Sequence, residues 1–116
     1  MCNAKLHCNN VLHKCIINMD NIKFEWDSKK EKTIIKKHGL DFSTAAHVFA
    51  DEFRIDFFDG KNSLEEARYR VIGAVNGYLT VITVVYTTRE NESIIRIISA
   101  RSATREEKEE YYRGYN

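Results

Sequence analysis

Arg68-Tyr69-Arg70-Val71-Ile72-Gly73-Ala74-Val75-Asn76-Gly77-Tyr78-Leu79-Thr80-Val81-Ile82-Thr83-Val84-Val85-Tyr86-Thr87-Thr88 is the stretch that decides the fold. Two runs rich in β-branched and aromatic residues flank an Asn-Gly pair. That dipeptide suits a two-residue type I′ turn, whose central residues both need positive φ. The pattern predicts a hairpin: a strand over 68–75, a turn at Asn76-Gly77, and a long central strand over 78–88. Downstream, a turn at Arg89-Glu90-Asn91-Glu92 leads to a strand over 93–99. Upstream, residues 53–58 read as an edge strand, broken by Asp59-Gly60-Lys61-Asn62. Consecutive hairpins of this kind make an antiparallel meander of three to four strands.

Helices bracket the meander. Ile22-Lys23-Phe24-Glu25-Trp26 alternates with period two and reads as a short half-buried strand. A helix follows, capped by Asp27 or Ser28, with Ser28 and Glu31 at capping-box spacing. It runs to His38 and stops at Gly39, the expected C′ glycine. Its apolar stripe is thin, and Lys29, Lys30, Lys32, Lys36 and Lys37 decorate it as a solvated face. A shorter helix starts near Ser43, with Asp41 or Ser43 as N-cap, and turns Ala45, Ala46, Val48 and Phe49 inward. The last helix opens at Thr104, where Thr104-x-x-Glu107 is a second capping box. It is polar until Tyr111 and Tyr112, so it gains little from docking on its own domain. The fold class is therefore α+β.

The chain has 116 residues, 43% hydrophobic and 30% charged, which is one ordinary globular domain. Its formal net charge is +1, so any case for nucleic-acid binding must be local. Residues 1–18 are polar, Asn- and Cys-rich and without periodicity. They read as a disordered tail, or as residues ahead of a true start at Met19, leaving one domain over 19–116. Cys2, Cys8 and Cys15 interleave with His7 and His13, but the spacings do not match paired zinc ligands. No metal and no cofactor is expected. The segment lacks the apolar core of a signal peptide, and the expected location is the cytoplasm.

The chemistry gathers near the end, in Ile95-Arg96-Ile97-Ile98-Ser99-Ala100-Arg101 and the Arg105 that follows. No acid lies between Arg96 and Arg105. Guanidinium is permanently charged and offers a planar fork of donors suited to phosphate.

In order, Phe24-Glu25-Trp26-Asp27, Lys37-His38-Gly39, Phe42-x-x-Ala45-x-x-Val48-Phe49, Arg68-Tyr69-x-x-Ile72-Gly73, Ile95 to Arg101, and Ala103-Thr104-x-x-Glu107 form an ordered set. This set resembles the BrnT family, the toxin half of a bacterial type II toxin–antitoxin pair. The resemblance covers about Met19 to Tyr112. It implies a RelE-like ribonuclease that inhibits translation by cutting RNA. It also implies a ribbon-helix-helix antitoxin as partner, through which the pair meets DNA, and no membrane. Two departures stand out: Asp51 is followed by Glu52 rather than proline, and Ala67 separates Glu66 from Arg68.

Metal-free RNA cleavage uses the substrate's 2′-hydroxyl as nucleophile. The protein must take its proton, stabilise charge on the phosphate and protonate the leaving oxygen. Under the resemblance, Arg101 and Arg96 bind the scissile phosphate and Arg68 adds a second contact. His38 acts as general acid or base, with Lys37 as a charge donor. Each has a structural alternative. Arg96 is equally suited to a buried pair with Glu25, Arg68 to a cross-strand ion pair, His38 to a helix C-cap, and Lys37 to a solvated face. Tyr69, Tyr78 and Tyr86 suit either base stacking or packing. Two other functions fit the same sequence: a non-catalytic antitoxin-binding co-repressor, and an RNA-binding domain without cleavage.

Overall fold

The computed structural model describes residues 5–9, 14–19, 22–60, 66–89 and 93–114. The strands are β1 (Lys5–Asn9), β2 (Lys14–Met19), β3 (Ile22–Asp27), β4 (Ile55–Phe58), β5 (Tyr69–Val75), β6 (Thr80–Arg89) and β7 (Ile94–Ser102). The helices are α1 (Ser28–His38), α2 (Phe42–Ala46), which runs into a 3-10 turn over His47–Ala50, and α3 (Arg105–Arg113). All strands join one sheet in the order β1-β2-β3-β7-β6-β5-β4.

β4 to β7 pair antiparallel in sequence order, but the sheet as a whole is mixed. β3 lies parallel to β7, with Glu25 opposite Arg96. The chain leaves β3 through α1 and α2 and enters the sheet again at the far edge. A parallel pair between the first and last strands of this region is non-local, so no turn signal announces it. Two stretches of residues 1–18 also depart from the expected tail: β1 and β2 continue the sheet beyond β3. The Cys/His metal reading, the 89–92 turn beyond Arg89 and the 59–62 break beyond Gly60 lie outside the described side chains.

The hairpin forms one residue later than predicted. Leu79 N donates to Asn76 O, so Gly77 and Tyr78 are the central pair, at φ 66° and 70°. Asn76 itself has φ 55°. Tyrosine at positive φ is strained, and here it is set by the register of Val75 against Thr80.

The helix ends follow local chemistry. Asp27 caps α1 by accepting from Lys29 N and Lys30 N. With Asp27 as the cap, Glu31 falls one place too late for the predicted box. Its carboxylate instead accepts from Trp26 Nε1 at 3.2 Å and Phe42 N at 2.8 Å, tying β3 and α2 to α1. Gly39 ends α1 at φ 70°, as predicted. Asp41 caps α2.

One face of the sheet packs under α1, α2 and the 3-10 turn, around Phe24, Trp26, Ile34, Phe42, Val84 and Ile97. Gly73 allows that approach: a Cβ there would meet Val48 Cγ2 at 2.6 Å. α3 covers part of the other face, where Tyr111 packs with Ile72, Ala74, Val81 and Ala103. Tyr111 is 1% exposed, so α3 docks on its own domain, contrary to the expectation from its polarity. One large aromatic ring does the work of a stripe. Among the described residues, no helix is long and apolar enough to cross a membrane.

Candidate functional site

The sheet face that α1 and α2 leave open carries the arginines. Strand alternation puts Arg70 of β5 and Thr83 of β6 on that face. Arg96 and Arg101 are an odd number of positions apart, so a regular strand would point them to opposite faces. A β-bulge resolves this. Val85 pairs with Ser99 but Tyr86 pairs with Ile97, leaving Ile98 as the extra residue of β7. Ile97 and Ala100 accordingly both lie in the helix-side core. Arg96 and Arg101 both face the other way.

Arg101 meets Glu107 of α3 in a two-pronged pair, Nη1 to Oε1 at 2.7 Å and Nη2 to Oε2 at 3.1 Å. Thr83 Oγ1 donates to Glu107 Oε1 at 2.9 Å, and Thr104 N donates to the same oxygen at 2.8 Å. Burial opposes ionisation of Glu107, but Arg101, Thr104 and Thr83 outweigh it and hold the carboxyl at about 2. The same hydrogen bonds raise the Arg101 pKa above its ordinary value. Glu107 is thus a fixed anion rather than a proton acceptor near neutral pH. Arg70 approaches it from the far side, Nη1 to Oε2 at 3.5 Å. Arg70, Arg101, Thr104 and Glu107 line a cleft of about 510 Å³ with Phe57, Ile72, Glu106 and Glu110.

Further along the face, Glu25 is 2% exposed. Its Oε1 lies 3.4 Å from Arg96 Nη1 and 3.6 Å from Arg89 Nε. A buried carboxylate needs such partners.

The sequence model of the family described as "Ribonuclease toxin, BrnT, of type II toxin-antitoxin system" matches residues 26–107. The chain belongs to the BrnT family. No curated protein matches it. The match runs from Trp26 through Glu107, so it includes both arginine–glutamate sites apart from Glu25. Family membership makes this chain a ribonuclease toxin of a type II system, with an antitoxin as its partner.

The predicted residues do not converge on one point in this BrnT structure. Arg101 and Arg96 share a face, and alternation extends that face to position 68, where Arg68 is half-buried. Lys37 and His38 are exposed in the last turn of α1, the helix that packs against the opposite face. Tyr69 and Tyr86 stack on each other at 5.6 Å on the helix side and pack against Phe58 and Phe49. Tyr86 is buried and Tyr69 half-buried, and both pack on the helix-side core. Tyr78 is 52% exposed at the hairpin turn. Two residues of the site were missed by sequence reading. Glu107 reads in the sequence only as a capping residue. Arg70, two residues past Arg68, carries the correct alternation for the cleft.

Proposed function

We propose that this BrnT chain is a metal-independent, RelE-like endoribonuclease that inhibits translation, with its open sheet face receiving RNA. The observation that carries the reading is the clustering of Arg70, Arg96 and Arg101 on that face. The face offers guanidiniums to a phosphodiester, and its two central carboxylates, Glu25 and Glu107, are already held by arginines. Chemistry there runs on charge stabilisation of the phosphate rather than on carboxylate-held ions. Arg101 is assigned to the scissile phosphate, with Arg68 and Arg96 extending the cationic track. The substrate's 2′-hydroxyl attacks phosphorus and the 5′-oxygen leaves. His38, exposed beside Lys37 at the end of α1, stands on the helix side of the sheet and not on the face of Arg101, so the proton-transfer group for a phosphate held there is left unassigned. The partner is assigned as a ribbon-helix-helix antitoxin, through which the pair contacts its operator.

Induction in bacteria of the wild type beside Arg101→Ala tests this. Arrest with fragmented RNA in the wild type alone is the expected result. Intact RNA with soluble, folded wild-type protein would overturn it.

One observation favours a second reading. Glu107 already fills the Arg101 fork in the resting protein, as it would in a non-catalytic subunit that binds antitoxin and acts as co-repressor. Equal RNA integrity in wild type and Arg101→Ala, with operator repression intact, is the result that reading requires.

A further inference from the structure

The arginines of the open face differ in how far their donors are committed. Arg101 gives Nη1 and Nη2 to Glu107, and Nη1 also reaches Ser102 O at 3.2 Å. Arg96 shares Glu25 with Arg89. Arg70 is different. Its contact to Glu107 is long at 3.5 Å, and its Nε is buried with no hydrogen-bond partner. Its guanidinium carbon sits 5.5 Å from the centroid of Phe57, the residue opposite it on β4. The side chain is 40% exposed at the cleft. Ring stacking holds a guanidinium in place without using its in-plane donors. A buried donor without an acceptor is costly, and the resting protein carries that cost at Arg70.

We propose that Arg70, seated on Phe57, is a phosphate-binding residue for RNA in the cleft beside Arg101. The inference rests on the ribonuclease reading above and adds a residue to it. The acceptor that Arg70 lacks arrives with the substrate: a phosphodiester oxygen one nucleotide from the phosphate at Arg101. Thr83, Glu107 and the α3 N-terminus stay fixed while the guanidinium, still on Phe57, shifts to open its Nε to the cleft. The ligand is a single-stranded ribose-phosphate backbone, since a guanidinium on one phosphate reads charge and not base identity.

The test is binding of a fluorescein-labelled 2′-O-methyl RNA oligonucleotide, followed by anisotropy over a range of salt. The methyl ether keeps the phosphates but removes the nucleophile, so binding is read without cleavage. Arg70→Ala should bind about tenfold more weakly near 0.1 M salt, with the salt slope reduced by about one. Arg70→Lys should keep the slope and recover part of the affinity, because it keeps the charge but not the fork. Arg113→Ala, which removes an equal charge at the far end of α3, should match the wild type. Should Arg70→Ala fail to fold, Arg70→Lys alone decides: wild-type affinity would overturn the inference. Wild-type affinity and slope in Arg70→Ala overturn it while leaving the ribonuclease reading standing. An equal loss in Arg113→Ala overturns it as general charge. Loss of antitoxin binding with RNA binding unchanged also overturns it. A wild-type protein that binds no oligonucleotide overturns both this inference and the reading beneath it.

Discussion

The Tyr111 hydroxyl donates to Asp51 Oδ2 across 2.6 Å, joining residues 60 apart in sequence. The same oxygen accepts from Ala74 N at 2.8 Å, and Oδ1 accepts from Phe53 N at 3.0 Å. One buried carboxylate thus ties the helix layer, strand β5 and α3 together around the sheet. α3 carries Glu107, so this bond also helps hold the Arg101 partner in place. Tyr111→Phe keeps the ring and removes the donor. It should lower stability by roughly 1–2 kcal/mol in urea unfolding. Asp51→Ala, which strands Ala74 N, Phe53 N and the phenol, should cost more than Tyr111→Phe. Equal midpoints for the two variants would show that the carboxylate is not the junction.

Glu107 gives the protein an acid-sensitive contact. Its carboxyl lies at about 2 in the folded protein against an ordinary 4.5, burial being outweighed by Arg101, Thr104 and Thr83. The unfolded chain therefore takes up a proton at pH values where the folded protein does not. The stabilisation is full above about pH 5, drains as pH falls through 4.5 towards 2, and is on the order of 2 kcal/mol. Glu107→Gln keeps the capping geometry without the charge. Its melting temperature should sit below the wild type at pH 6, and the gap should narrow as pH falls from 4.5 towards 2. Parallel curves across that range would contradict the assignment.

Gly73 sets how closely the 3-10 turn approaches β5. An added Cβ would meet Val48 Cγ2 at 2.6 Å, Arg54 Cβ at 3.2 Å and Asp51 Oδ2 at 3.3 Å. Gly73→Ala should therefore destabilise by roughly 2 kcal/mol, although alanine normally suits a strand better than glycine. A Gly73→Ala protein as stable as the wild type would mean that the turn can lift away.

The local signals were the legible ones. Gly39, Asp41 and the Thr104–Glu107 box each act within a few residues, and each ends or starts a helix where the sequence put it. What failed was non-local. The parallel β3–β7 pair has no turn between its strands, and Glu31 was recruited by Trp26 and Phe42 once Asp27 took the cap. The bulge at Ile98 is the plainest case for the site. Period-two counting puts Arg96 and Arg101 on opposite faces, and only the register shift brings them together. Arg70 went unseen because the cleft it lines is assembled from β4, β5, β7 and α3.

The buried Tyr111 changes what a truncation at α3 can report. Deleting residues 104–116 tests antitoxin docking on α3 only if the rest of the domain folds without that helix. With Tyr111 in the core and bonded to Asp51, the deletion should yield unfolded or insoluble protein, and no conclusion about a partner. Tyr112 is 51% exposed and is the informative position. Tyr112→Ala gives up the ring contact with Tyr111 at 5.4 Å but should stay folded, and it should weaken antitoxin capture about tenfold, as loss of an aromatic interface anchor does. Unchanged capture would remove α3 from the interface.

Arg96 and Arg101 stand on the same face, but their partners predict different phenotypes. Arg96 faces Glu25, which is 2% exposed, so Arg96→Ala takes one of its arginines from a buried carboxylate that Arg89 also meets. That should cost roughly 2 kcal/mol of stability. RNA cleavage, assayed at low temperature where the variant is folded, should fall by the loss of one track contact, about tenfold, and far less than in Arg101→Ala. Arg101 pairs with a carboxylate anchored three further ways, by Thr83, Thr104 and Arg70. Arg101→Ala should keep most of its stability and lose RNA fragmentation at least a hundredfold, on the scale of removing one oxyanion-stabilising donor. Measuring urea midpoints and cleavage rates for both variants separates the roles. If Arg96→Ala were the stable, inactive protein and Arg101→Ala the unstable, active one, the scissile phosphate would belong at Arg96 and the Glu107 cluster would be scaffold.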